Sequence, residues 1–288
     1  MRSIIIAALA AALVSACASP AEETAATAAA AETNHIAAAV AGEWRSAEDR
    51  HRDQYRHPAE ALEFWGAAPG MTIVEVGPGG GWWTEILAPY ARMSGGRYIA
   101  AFGDLGAPEV SDAARQSRAR FVEAFGDESI YGDIEVVDFS MRAGLAAPDA
   151  SADFILVARA FHNWAGGEGV TDRFMSEFAR VLRPGGILAV EQHRAADGAD
   201  VSESGPAGYV SEAYVIEAAE RAGLTLAARS ELNANPADTR NHPFGVWTLP
   251  PVGRTAPRGE PADPTFDRTR YDAIGESDRM TLRFVKPD

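Results

Sequence analysis

Thr72-Ile-Val-Glu-Val-Gly-Pro-Gly-Gly-Gly-Trp-Trp-Thr-Glu-Ile-Leu87 reads as a buried strand, a glycine loop and the opening of a helix. Thr72–Val76 is a short β-branched run, Gly77–Gly81 is the loop, and Trp82–Tyr90 has helical spacing with Pro89 near its end. Glycine lets a backbone take positive φ and approach a ligand closely, while a helix N-terminus offers free amides to an anionic group. Spacing separates two ligand classes. A dinucleotide loop requires Gly-x-Gly-x-x-Gly, whose third glycine lets helix pack closely on strand. Counted from Gly77 and Gly79, that third position is Trp82, the bulkiest residue available. The pattern present is Glu75-x-Gly77-x-Gly79-x-Gly81.

Outward from the loop, strands and helices alternate. Arg97–Phe102, Ile134–Val137, Asp153–Ala158, Ile187–Gln192, Leu224–Ser230 and Met280–Val285 read as strands. Pro108–Phe125, Thr171–Leu182 and Ser211–Ala222 read as helices, and Trp44–Gly66 as one or two short helices broken at His57-Pro58. Asp153–Ala158 is almost wholly apolar, as in a strand covered on both faces. This alternation predicts a doubly wound parallel sheet with right-handed crossovers. Glu231–Asp278, rich in Pro, Asn, Asp and Gly, is too long for a plain connection. Its Asn241–Trp247 stretch is apolar enough to pack down, so the segment is expected to be either a cover over the active-site edge or an ornamental insertion.

The N-terminus reads as a targeting segment. Ile4–Val14 is apolar behind Arg2 and is shorter than the roughly 20 residues of a membrane-spanning helix. Leu13-Val-Ser-Ala-Cys17 resembles the lipobox of bacterial lipoproteins, which implies cleavage before Cys17 and its diacylation. An ordinary signal peptide cleaved near Ala16 or Ala18 is the alternative. The expected organisation is a leader over residues 1–16, an Ala-rich tether over 17–43, and a folded domain over 44–288 containing the long loop 231–278. The protein is then exported to the periplasm and lipid-anchored, to the outer membrane by preference, with membrane contact only through Cys17. Cys17 is the only cysteine, so no disulfide staples the core. A formal net charge of −15 gives a phosphate backbone no electrostatic footprint, which excludes nucleic acid as a partner. Neither His-Glu-x-x-His nor Gly-x-Ser-x-Gly occurs, so zinc-protease and α/β-hydrolase chemistry are not indicated.

From about Pro69 to Lys286 these landmarks resemble, in order, those of the class I S-adenosylmethionine (SAM) methyltransferases. Glu75-Val-Gly-Pro-Gly-Gly-Gly81 is similar to their first motif, and Asp138 in Val136-Val-Asp-Phe139 to their acidic residue after the third strand. Phe178-Ala-Arg-Val-Leu-Arg-Pro-Gly-Gly-Ile-Leu188 resembles their helix, turn and fifth strand. More narrowly, Tyr55-Arg-His-Pro58 and Gly275-Glu-Ser-Asp-Arg279 resemble a bacterial group of predicted methyltransferases carrying this kind of leader. The resemblance implies a seven-stranded Rossmann-like sheet with its last strand antiparallel, S-adenosyl-L-methionine as cofactor, and methyl transfer to a small-molecule or envelope acceptor. An exported, non-catalytic small-molecule-binding protein on the same fold is the competing reading.

The resemblance also assigns roles. Gly77, Gly79 and Gly81, with Glu75 behind them and Trp82 over them, would carry the methionine part of the cofactor. Asp138 would accept from the adenine amine, with Phe139 beside the ring. The family's ribose-binding carboxylate falls on Phe102 here, leaving Asp104 as the substitute if the loop curls back. Charge-assisted hydrogen bonds lost there are worth roughly 1.5–3 kcal/mol each. Methyl transfer is an in-line displacement that depends on positioning, and a base helps only when the nucleophile must lose a proton. His162, at the carboxyl end of a strand where open sheets bind ligands, is the base candidate, against packing within its loop. Arg159 would steer an acidic substrate or sit in an ion pair.

Overall fold

The computed structural model describes residues 35–288. The leader, Cys17 and its lipidation, and the tether up to residue 34 lie outside the described residues. Nine strands are defined among the described residues, β1 (Thr72–Val76), β2 (Arg97–Gly103), β3 (Ile134–Ser140), β4 (Gly144–Leu145), β5 (Ala152–Ala158), β6 (Leu182–His193), β7 (Thr225–Ser230), β8 (Pro243–Val246) and β9 (Arg279–Val285). Eight of them form one sheet in the order β4-β3-β2-β1-β5-β6-β9-β7. β1, β2, β3, β5 and β6 run parallel, and β9 inserts antiparallel between β6 and β7. The expected seven strands are all present. The eighth is β4, two residues antiparallel to the end of β3, pinned where the Leu145 amide donates to Glu177 Oε2 at 3.0 Å.

From β1 the chain winds outward through β2 and β3, then returns to lay β5 on the other side of β1. Strand order therefore reverses between β1 and β5, and the crevice outside their carboxyl ends is the ligand position of such sheets. Both faces are covered. One carries Trp65, Trp83 and Phe154, the other Phe139, Phe174 and Phe178, all buried. Each such side chain contributes about 1.5–3 kcal/mol on burial, which lets the core hold without disulfides.

Two boundary differences bear on the packing. The first helix after the glycine loop spans Thr84–Ser94, so Pro89 lies inside it. Pro89 has no N–H for the Glu85 carbonyl, and the Trp44 indole donates to that oxygen at 2.8 Å. Residues 35–43 are not tether. Residues 35–40 are helical and bury Ile36 and Ala39 in the core, so the packed unit begins ahead of Trp44. The 231–278 segment is an ordered cover containing β8 and a helix over Thr269–Ile274. Its node is Asp238, buried, which accepts from His242 Nε2 at 2.8 Å and the Asp278 amide at 2.9 Å.

Candidate active site

Gly77, Gly79 and Gly81 all have positive φ, at 66°, 61° and 89°, so the loop takes a path closed to most side chains. Their neighbours differ. A Cβ on Gly81 would lie 2.2 Å from the Phe125 ring, so this glycine is required by packing. A Cβ on Gly77 would stand 3.5 Å from that of Ala160, at the lip of two adjoining cavities.

The smaller cavity, about 480 Å³, lies beyond the ends of β1, β2 and β3, with Gly77, Gly103, Phe139, Trp164 and Phe174 on its walls. The larger, about 850 Å³, is bounded by the glycine loop, the turn after β5 and the cover, including Trp247 and Leu249. Gly77, Ala160 and Asn163 line both.

The acidic residues singled out in the sequence do not face these spaces. Glu75 is buried beneath the loop and accepts from Tyr98 Oη at 2.5 Å and Thr84 Oγ1 at 3.0 Å. Burial pushes its pKa up to about 7, against the opposing hydrogen bonds from Tyr98 and Thr84. A carboxyl whose folded pKa is raised stabilises the fold fully below its ordinary 4.5 and loses that contribution as pH rises through about 7. Glu75→Gln should therefore gain on the wild type between those limits, by on the order of 3 kcal/mol. Glu85, raised likewise by burial, is common to both chains and cancels in the difference. Denaturant melts across that range check this, and a pH-independent difference would refute it.

Asp104 is tied down by Arg142 at 2.6 Å, the Gly106 amide at 2.7 Å and Ser140 Oγ at 3.1 Å. The bond from Arg142 is the main cause holding its carboxyl below the usual range. Asp138 pairs with Arg118 at 2.7 Å, and Arg118 also donates to the Gly103 carbonyl at 2.7 Å. Neither carboxylate lines either cavity. The substitute role for Asp104 and the adenine contact of Asp138 therefore lack a free carboxylate facing the cavity. Phe102 packs on Phe121, 4.7 Å between rings, which leaves the customary ribose position apolar. Phe139 does face the smaller cavity, packed against Phe174 with the rings tilted and their centroids 4.2 Å apart.

Trp82 and His162 line the larger cavity. The Trp82 indole donates to the Asp49 carbonyl at 3.1 Å, and Arg56 lies 4.6 Å from its ring centroid. His162 sits on a 3₁₀ turn over Phe161–Asn163, its Nδ1 3.3 Å from Gln192 Nε2. Burial lowers its pKa against the Gln192 hydrogen bond, so the ring is neutral near pH 7. With the Gln192 amide donating to Nδ1, the ring proton resides on Nε2.

A buried ion network completes the floor, and sequence reasoning missed most of it. Glu191, fully buried in β6, accepts from Arg159 Nη1 at 2.8 Å and Trp83 Nε1 at 3.2 Å and pairs with Arg279 at 3.1 Å. Glu276 pairs with Arg279 at 2.6 Å, Arg56 at 2.8 Å and Arg52 at 3.1 Å. Arg159 is held at φ 53°, a conformation costly for a side-chain-bearing residue. One signal was available, a glutamate inside the apolar run Ile187–Gln192 of a covered strand.

The smaller cavity suits a nucleoside. Three glycines, Gly77, Gly103 and Gly167, open onto it, a Cβ at Gly103 would meet nothing within 4 Å, and Phe139 and Trp164 supply aromatic walls. Residues 74–190 match the family model described as a methyltransferase domain. A proposed sarcosine dimethylglycine methyltransferase from Galdieria sulphuraria aligns at 16% identity and TM-score 0.50, over 84% of this chain and 88% of its own. A SAM-dependent methyltransferase from Aquifex aeolicus is 24% identical at TM-score 0.47, over 62% of this chain and 86% of its own. No curated protein matches. Domain match, strand order and cavity agree: residues 74–190 match a methyltransferase domain set on the class I methyltransferase fold, whose cofactor is S-adenosyl-L-methionine.

Proposed function

We propose that the protein methylates a small molecule seated in the larger cavity, with the cofactor's nucleoside in the smaller one. The observation that carries this is the shared border: Gly77, Ala160 and Asn163 line both spaces, so a group held on one side can reach a ligand on the other. Gly77, Gly103, Phe139 and Trp164 would hold the nucleoside, and Gly79 and Gly80 the methionine end. The cofactor supplies an electrophilic sulfonium methyl when bound. The chain's part is to align an acceptor with that methyl and to exclude water beneath the cover.

His162 is the side chain placed to touch the acceptor. It serves as base once its proton moves to Nδ1 and the Gln192 amide turns away, which frees Nε2, and that service ends as pH falls through its lowered pKa. Labelled-methyl transfer to a panel of small acceptors tests the reading. His162→Asn should lower kcat about 10²-fold and leave S-adenosylhomocysteine affinity unchanged. Unchanged kcat would remove His162 from the chemistry. A wild-type chain that binds S-adenosylhomocysteine yet methylates nothing would favour the binding-protein reading.

A further inference from the structure

The larger cavity is lined by Arg52, Arg56, Arg159, Arg254 and Arg258, against the carboxylates Asp49 and Glu276. This concentration of positive charge occurs in a chain whose formal net charge is −15. In the network beneath, four arginines (52, 56, 159 and 279) share three carboxylates, Glu191, Glu276 and, through Arg52, Asp49. The cavity floor is therefore under-neutralised. Its histidines add no charge, since burial lowers the pKa of both His162 and His193.

Arg56 shows the deficit atom by atom. Its side chain is 2% exposed and lines the cavity, and its Nε donates to Glu276 at 2.8 Å. Its Nη1, also buried, has no acceptor among the described residues. Burial, then the charge of Arg159, pulls its pKa well below the ordinary arginine value. An unsatisfied buried guanidinium is costly, and an anion delivered by a ligand relieves the cost. Arg159 stands beside it, its ring-facing guanidinium 5.9 Å from the same Trp82 that Arg56 covers. Arg254, from the cover, stacks on Trp247 at 4.9 Å and brings a further cation to the same space.

We infer that the methyl acceptor bears an oxyanion group, a carboxylate or a phosphate, which Arg56 and Arg159 bind. This rests on reading the larger cavity as the acceptor site. The methionine carboxylate of the cofactor is the other possible source of the same chemistry, and the test separates the two.

The full chain is titrated calorimetrically with inorganic phosphate and with benzoate, each with and without saturating S-adenosylhomocysteine, and with benzylamine as a cationic control. One-site binding of phosphate or benzoate that persists with S-adenosylhomocysteine bound is expected, and the preferred probe identifies the oxyanion. Arg56→Lys, which keeps the charge and loses the fork, should weaken that binding about tenfold or more. Arg254→Ala, on the less buried cover, should weaken it in the same direction. Displacement of the oxyanion by S-adenosylhomocysteine would assign the guanidinium to the cofactor's carboxylate and overturn the inference. So would absence of saturable oxyanion binding, benzylamine binding as well as the anions, or equal affinity in both variants. Failure of S-adenosylhomocysteine itself to bind would instead count against the proposed function.

Discussion

Glu191→Leu is expected to cost roughly 3–5 kcal/mol of stability, the largest effect of any single substitution considered for this fold. Leucine fits the strand, and the side chain it replaces is fully buried, so burial of apolar surface is not what is lost. The loss is the shared counter-charge of Arg159 and Arg279 and the acceptor of the Trp83 indole. Burial pushes the Glu191 carboxyl up, and Arg159, Arg279 and Arg56 outweigh it, so its pKa ends below the ordinary 4.5. A depressed carboxyl contributes stability above its unfolded pKa and loses it as pH falls through the folded one. The penalty of Glu191→Leu should therefore be full at neutral pH and shrink on acidification. Chemical denaturation at both pH values checks this, and a neutral-pH cost below about 1 kcal/mol would mean that water or relaxation neutralises the arginines.

The second large effect is on the ligand. Gly77→Val should weaken S-adenosylhomocysteine binding at least about 100-fold, equivalent to roughly 2.7 kcal/mol. Its first carbon has room, at 3.5 Å from Ala160, but φ 66° strains any side chain there and the branching methyls must enter the two cavities that meet at this point. Gly81→Ala is the control. Its Cβ would meet Phe125 at 2.2 Å, so it should lower the melting temperature by displacing the helix Asp112–Ala124 and its Phe125 cap. Binding measured on folded material separates the two, and equal S-adenosylhomocysteine affinity in Gly77→Val would place the cofactor elsewhere.

Sequence periodicity revealed the strands because each is a local pattern. Thr72–Val76 and Asp153–Ala158 announce covered strands by composition alone, and the glycine spacing at 77, 79 and 81 marks the loop between strand and helix. β4 escaped because two residues carry no period. Pro89 misled because the donor that rescues its helix, Trp44, lies 41 positions from the carbonyl it satisfies.

Side-chain direction was the harder matter. Glu75, Asp104 and Asp138 stand in sequence where the resemblance expects ligand contacts, yet each carboxylate is engaged by a partner brought from another element: Tyr98, Arg142 and Arg118. Such pairings are set by tertiary packing, and the charged floor extends the point, since Arg56 and Glu276 meet across 220 residues. The cover was legible only as a long polar segment with an apolar patch. Asp238, which organises it, looks in the sequence like one more loop aspartate.

The most direct test of the central claim is calorimetric titration of the folded chain with S-adenosylhomocysteine, beside Gly77→Val. One-site binding that Gly77→Val abolishes is the predicted result. A folded wild-type protein that takes up neither S-adenosylhomocysteine nor SAM would contradict the cofactor assignment and, with it, the methyl-transfer activity.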